Sequence, residues 1–538
     1  MKKFVLILLI FLLTGCNAVI SDSKVSELTY DLNINSKDLD DSYSNINSTT
    51  IELSNEDVYI EAEGTYILTG TMDDASVIVD TDKDKEVKLV LDNVTINSGD
   101  FASIYIIESD KVTITLAENS VNSLSDSKEH TQIDDNNVDS VIFSKADLVI
   151  NGKGTLNINT NIGHGIVSKD DLIITGGTIN VDSKSQGING KDSIKIYDGN
   201  INVTSGTDSI KSDNDEDEDR GFVYIAGGII NIDSEDDAIQ GFHLIQIDGG
   251  NININKSYEG LESQYIVIND GDLTINSSDD GINACDKSNS NSNIKQSQNM
   301  RMPMMAGSTN ADLTINGGNI YINANGDGID SNGTVNLYGG TLVIDGPVSD
   351  GDQAFDYETG GYAYGSESLC IGSSGMAESF SKESTQYNLL YNLDKIYEAN
   401  SKIEIYSEDN KIIFDHTSTK SFNSILLTSS KIKQNETITI KIDTDEYSYT
   451  FEDITNSEGK GGIGGFGQRD KKNNGSFKET PEQNKNFGPG DMRRPNEEFD
   501  FENSERPDDE QIPPDRPNDF DPNAQMPNKP LDDNHYKR

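Results

Sequence analysis

One pattern recurs six times in this chain. It runs through DLIITGGTINVDSKSQGI (171–188), DSIKIYDGNINVTSGTDSI (192–210), FVYIAGGIINIDSEDDAI (222–239), LIQIDGGNININKSYEGL (244–261), YIVINDGDLTINSSDDGI (265–282) and DLTINGGNIYINANGDGI (312–329). The closing aliphatic falls at Ile166, Ile188, Ile210, Ile239, Leu261, Ile282 and Ile329, a spacing of 22 or 21 residues where nothing is inserted. Within a copy, apolar and polar residues alternate with period two on both sides of a Gly-Gly or Asp-Gly turn, a strand–turn–strand signature. Ile194 and Ile196 precede the turn and Ile201 and Val203 follow it; Val223, Ile225, Ile230 and Ile232 take the same places in the next copy. A row of hairpins has no use for a third apolar position at a fixed phase. A solenoid does, because each turn of chain needs an inward residue from every wall. The sequence therefore predicts an all-β fold, a right-handed parallel β-helix of about 22 residues per coil, with coils stacked about 4.8 Å apart.

The pattern extends, less regularly, upstream through KLVLDNVTINSG (88–99) and downstream through GTVNLYGGTLVIDG (333–346), so the helix is expected over residues 50–356. Residues 288–310, SNSNSNIKQSQNMRMPMMAGSTN, read as a flexible insert thrown out from one coil. Residues 357–455 keep strand composition, as in KIEIYSEDNKIIF and ETITIKI, but lose the repeat, which suggests a small antiparallel β domain. From 456 to 538 Gly, Pro, Asn and charge dominate. Such a composition cannot bury a core, and a disordered acidic tail is expected. At the other end, MKK and the apolar run FVLILLIFLL lead to LTGC, which resembles a bacterial lipobox. Residues 1–16 then read as a lipoprotein signal, Cys16 as its lipidated residue and 17–49 as a linker. The run is too short for a transmembrane helix. The expected location is the outer side of a bacterial cell membrane, held there by the lipid anchor.

Two residues before each closing aliphatic stand His164, Gln186, Asp208, Asp237, Glu259, Asp280 and Asp327. Five successive coils thus place a carboxylate at one point, and Asp236, Glu262, Asp279 and Asp330 add others close by. The stretch TDSIKSDNDEDEDRG (207–221) starts at this column and puts Asp213, Asp215, Asp217 and Asp219 on a loop beside Asp208. Unit charges one coil apart repel by roughly 3 to 4 kcal/mol at an effective dielectric of 20, and by about 1 kcal/mol in bulk water. Several such pairs weigh heavily against a total stability of about 5–15 kcal/mol. Raised pKa values, salt screening or a splayed, solvated row would lessen the load. A hard cation held by carboxylate and carbonyl oxygens would relieve it most, which points to Ca²⁺. The loop is not an EF-hand: Glu218 stands where the sharp-turn Gly belongs, and Tyr224 where the bidentate Glu belongs.

The whole chain is acidic, with 93 Asp and Glu against 42 Lys and Arg and a net charge of -51. That argues against nucleic acid as a partner, and it admits a polyanion only across a bridging cation. Cys285 and Cys370 have no Cys or His at metal-ligand spacing, so no zinc site is expected; the two either pair with each other outside the cell or, the reading preferred here, stay free thiols. Asn157, Asn180, Asn202, Asn231 and Asn253 form an outward column that is either a polar strip for sugar or a structural amide ladder. Tyr197, Tyr224, Tyr338 and above all Tyr258 and Tyr265 are candidates to stack on sugar rings, although the chain has no Trp to build a broad platform.

The Gly-Gly-turned coils, DSIKSDNDED, DDAIQ, YEGLES, SDDGINA and GMAESFSKESTQYNLL together resemble the carbohydrate-binding β-helix lipoproteins of clostridia and relatives, once catalogued as a domain of unknown function. The resemblance covers roughly residues 50–455. It implies a calcium-binding parallel β-helix that binds cellulose or acidic sugars such as polygalacturonate, similar in fold to one family of pectate lyases. It also implies calcium ligands at Asp208, Asp213, Asp215, Asp237, Glu259, Glu262 and Asp280. The acidic, Arg- and Pro-rich tail departs from that pattern. Three functions remain open. The chain is a non-catalytic, calcium-dependent polysaccharide-binding module; or a lyase, in which Lys211, three residues after Asp208, would be the base beside the metal; or a structural stalk or adhesin stiffened by calcium. A monomer is expected in each case.

Overall fold

The computed structural model describes residues 30–287 and 310–461. The expected signal with Cys16, residues 288–309 of the insert and the tail beyond 461 lie outside the described residues. The described part is all-β and dominated by parallel strands in a β-helix-like stack. Each repeat supplies three strands. In one they are Ser193–Ile196, Asn200–Ser205 and Ile210–Ser212; in the next, Phe222–Ile225, Ile229–Ser234 and Ile239–Gly241. Each pairs in parallel with its equivalent one repeat on, as in Ile194↔Val223, Ile201↔Ile230 and Ile210↔Ile239. The register sets like on like: the closing aliphatics pair from Ile188 through Ile210, Ile239, Leu261 and Ile282 to Ile329.

The period-two pattern explains which side chains face in. Ile194, Ile196, Ile201, Val203 and Ile210 belong to one continuous buried core that gathers inward residues from all three strand stacks. Asn202 faces outward between two of them and continues the asparagine column. Its amide donates to Asn180 at 2.8 Å, Asn231 donates to Asn202 at 2.8 Å, and Asn253 to Asn231 at 3.1 Å. The column is an amide ladder, each side chain satisfying the next. Turns between first and second strands hold glycines in left-handed backbone, such as Gly228 at φ 94 and Gly250 at φ 101, where a side chain would be strained.

The stack departs from expectation at both ends. Parallel pairing runs past residue 356: Gly360–Ala363 pairs with Thr334–Leu337, and Glu367–Gly372 with Thr341–Asp345. There Phe355, 2% exposed, takes the place of the closing aliphatic, so the repeat persists with an aromatic in its fixed position. Antiparallel strand Phe422–Thr428 then covers the last rung and pairs with both Glu367–Gly372 and Asn388–Tyr397. A separate four-stranded antiparallel sheet joins Ile412–Thr417, Lys402–Tyr406, Thr437–Ile442 and Asp445–Thr450 and shares an apolar cluster with Leu369, Ile371, Leu389 and Leu427 of the neighbouring strands. At the other end, residues 30–47 are not free linker but a strap laid along the outer face of the first strand stack. Tyr30 packs edge-on against Phe222 at 5.3 Å, and the Leu32 carbonyl accepts from the Tyr197 hydroxyl at 2.6 Å. The Asp38 carbonyl accepts from Thr175 and Asn151, and its buried carboxylate pairs with Lys111 at 2.9 Å.

Candidate functional site

From Ile188 onward the third strand stack is only three residues deep in each rung, and it carries the acidic column. Backbone amides just past each column member bond to the member one repeat on: Ser209 to Asp237, Ala238 to Glu259, Gly260 to Asp280 and Gly281 to Asp327. Asp208, Asp237, Glu259, Asp280 and Asp327 are therefore stacked on neighbouring rungs. The residue between the carboxylate and the aliphatic turns inward, and only Ser, Gly or Ala fits there. A Cβ on Gly281 would lie 2.6 Å from the Gly328 carbonyl and 2.3 Å from Ile322.

A second column runs one residue beyond the aliphatic: Asn189, Lys211, Gln240, Glu262, Asn283 and Asp330, paired in that order. The two columns meet across the aliphatic. Gln240 donates to Asp237 at 2.7 Å and to Glu262 at 2.5 Å, and Asn283 donates to both Glu259 oxygens at 3.1 Å. Lys211 donates to Asp208 at 2.8 Å, and Lys287 pairs with Glu262.

Among the described residues three groups of carboxylates result, each with one oxygen per residue within 4.8 Å of the others: Asp208 with Asp236 and Asp237, Asp237 with Glu259 and Glu262, and Asp280 with Asp327 and Asp330. These clusters are capable of coordinating a metal ion. Oδ1 of Asp208 and Oδ1 of Asp237 are buried without a hydrogen-bond donor, a costly state that a cation would relieve. Burial and the neighbouring acids hold protons on this row. Burial first, then Glu262, lifts Glu259 to about 8; burial lifts Asp327 to about 8; burial, Asp356 and Asp280 lift Asp330 to about 7. Asp280 rises to about 6, chiefly through burial. Within the close pair of Asp237 and Glu262, burial and the Glu262 carboxylate push Asp237 up, while Glu262, despite burial, is held down by Asp237 and Lys287.

Other expected ligands stand apart from these clusters. Asp213 and Asp215 are exposed on the loop, whose path is fixed by Asn214 and Arg220, both bonded to Asp192. Asp279 lies beside the Tyr258 phenol, which it raises to about 12. Tyr258 is 47% exposed, but Tyr265 is 3% exposed and packs with Phe222 and Leu244, which leaves it no open ring face. Three residues escaped the sequence reading. Asn283 and Gln353 each hold a buried, unpartnered amide oxygen next to the acids, and Asp356, whose amide bonds to the Ile329 carbonyl, stacks on Asp330. For Asn283 and Asp356 the signal was the position after the closing residue, for Gln353 the position two before it, and in the last rung Phe355 hid both. Cys285 and Cys370 are unpaired.

Residues 54–299 match the family model of carbohydrate-binding domain-containing proteins. A carbohydrate-binding domain-containing protein of Acetivibrio thermocellus is 37% identical over 187 residues, which cover 34% of this chain and 65% of that relative; the chain thus spans about two thirds of the curated relative's length. A solved structure, described as the polysaccharide lyase-like protein from C. thermocellum in a gadolinium derivative, is 34% identical and covers 39% of this chain and 94% of that one, with a TM-score of 0.36. Over residues 54–299 the chain is a close match to the carbohydrate-binding domain family.

Proposed function

We propose that the chain is a non-catalytic module that binds polysaccharide through divalent cations, Ca²⁺ by its oxygen-only ligand set, held along the acidic columns. The observation that carries this reading is the stack of three carboxylate clusters with donorless buried oxygens on Asp208 and Asp237. Asp208, Asp236, Asp237, Glu259, Glu262, Asp280, Asp327 and Asp330 would hold the ions, with Gln240 and Asn283 offering amide oxygens. A bound ion supplies positive charge on an acidic wall, and so lets a uronate carboxylate or a sugar hydroxyl approach. Polygalacturonate-type acidic sugars fit this chemistry better than cellulose, which has no anion to bridge. In this reading the stack is a right-handed parallel β-helix, the hand expected of parallel crossovers. The chain is a monomer, lipidated at Cys16 and displayed outside the cell membrane.

The lyase alternative needs a neutral base beside the metal. Lys211 is badly placed for that: burial works against its charge, but Asp208, with Asp213 and Asp237, outweighs burial and raises it above the usual lysine range. The decisive experiment is retention of the protein on polygalacturonate in chelator and after Ca²⁺ is restored, with ultraviolet absorbance followed for an unsaturated product. Calcium-dependent retention without new absorbance is expected. Absorbance that grows with time and is lost in Lys211→Ala would make the chain a lyase. Retention in neither condition, with calcium still raising the melting temperature, would leave only a structural role.

A further inference from the structure

Upstream of the acids, the same wall carries a column of lysines. Ser144, Ser168 and Gly190 are in register on successive rungs, and the residue after each is a lysine: Lys145, Lys169 and Lys191. Three lysines therefore leave the wall in one column, their backbone positions one strand spacing apart, about 4.8 Å. Several other lysines of this acidic chain are matched, as Lys111, Lys195, Lys211 and Lys287 are by Asp38, Asp171, Asp208 and Glu262. These three have no carboxylate at salt-bridge distance among the described residues. Lys169 is steadied from below, its Nζ 5.3 Å from the centre of the Phe143 ring.

Lys169 and Lys191 open onto a cavity of about 470 Å³ that His164, Gln186 and Asn189 also line. His164 is set as a donor there. Its Nδ1 accepts from the Gln186 amide at 3.1 Å, so the neutral ring carries its proton on Nε2, 3.7 Å from Asp139. Burial favours that neutral form. Asp139 and Asp213 complete the rim and offer acceptors. The cavity thus pairs two unmatched cations with amide, imidazole and carboxylate groups of the kind that hold sugar hydroxyls.

We propose that this cavity is a metal-independent subsite for a carboxylated sugar, with the carboxylate on Lys169 and Lys191 and the ring hydroxyls on Asn189, Gln186, His164, Asp139 and Asp213. The inference rests on the reading that the chain binds polysaccharide, and it extends that reading to a part of the wall where no cation is needed. Lys145 continues the column by one rung, so a second carboxylate of the same polymer has a partner. An acidic glycan lying along the stack meets lysines directly at one end and bridging cations at the other.

The test is calorimetric titration of a galacturonate oligomer into the full chain in excess chelator at low salt. A neutral galactose oligomer and a sulfated galactose oligomer are titrated in parallel. The galacturonate oligomer should bind, weaken with added salt, and lose about tenfold in affinity in Lys169→Gln/Lys191→Gln with the melting temperature unchanged. Lys402→Gln, a lysine of the separate antiparallel sheet paired with Asp415, should bind it as well as the parent chain does. If galacturonate binds only once calcium is restored, the subsite is overturned while the cation-bridged reading stands. If it binds in neither condition, both fall. Tighter binding of the sulfated oligomer, or equal binding of the neutral one, would overturn the assignment to a carboxylated sugar.

Discussion

Asp237 is the residue on which two of the carboxylate clusters depend, since it belongs both to the group with Asp208 and Asp236 and to the group with Glu259 and Glu262. Asp237→Asn keeps the shape and the hydrogen bond from Gln240 but removes a shared charge. We expect calcium affinity to fall by about tenfold or more at both clusters, read by titrating Ca²⁺ into chelated protein; an isotherm identical to that of the parent chain would sink the cluster assignment. At this scale the sequence was informative about position and poor about direction. The acidic column was legible because each member keeps a fixed distance from a buried aliphatic, so Asp208, Asp237, Glu259, Asp280 and Asp327 had to stack. Which of them share a cluster was not legible. Asp236 and Asp279 occupy equivalent places, yet Asp236 joins a cluster while Asp279 sits by Tyr258, and that choice is made by side-chain rotation.

Among the elements, the third strand shows how little sequence a β-structure needs. Ile210–Ser212 and its equivalents carry a single inward aliphatic flanked by the two functional columns, so the wall announces itself as one recurring residue, too short for a period to be read. The extra rung after residue 356 was missed because Phe355 broke the aliphatic run, and Asp356 was lost with it. The strap was missed because its anchors are polar: Asp38 and a series of backbone carbonyls bind side chains that point out from the first stack. Both elements give predictions. Gly281→Val would force a branched side chain against the Gly328 carbonyl and should cost about 1–3 kcal/mol; an unchanged denaturation midpoint would show that the small-residue column does not hold the Asp280 cluster in place. Asp38→Ala leaves Lys111 without its 2.9 Å partner and should destabilise the fold by roughly 3 kcal/mol, again read by denaturant titration.

For the whole molecule, the stacked acids make stability depend on pH and on metal together. In chelator, Glu259, Asp327, Asp330 and Asp280 keep protons in the folded state up to about 8, 8, 7 and 6, whereas the unfolded chain releases them near pH 4. Between those limits the folded state binds more protons, so stability should fall as pH rises from about 4 to 8. Calcium replaces those protons and should flatten or reverse the slope. Melting curves across this range, with chelator and with calcium, test it; a chelated protein that gains stability with rising pH would contradict the buried, mutually repelling row. The strap bears on presentation. Its outermost described residue, Tyr30, rests on Phe222, well inside the run of repeats rather than at either end. A mooring line attached amidships holds a hull broadside. Should Cys16 be the mooring, the 14 residues from it to Tyr30 reach at most about 50 Å, and the stack would ride alongside the membrane, with its charged wall running lengthwise past whatever polymer lies there.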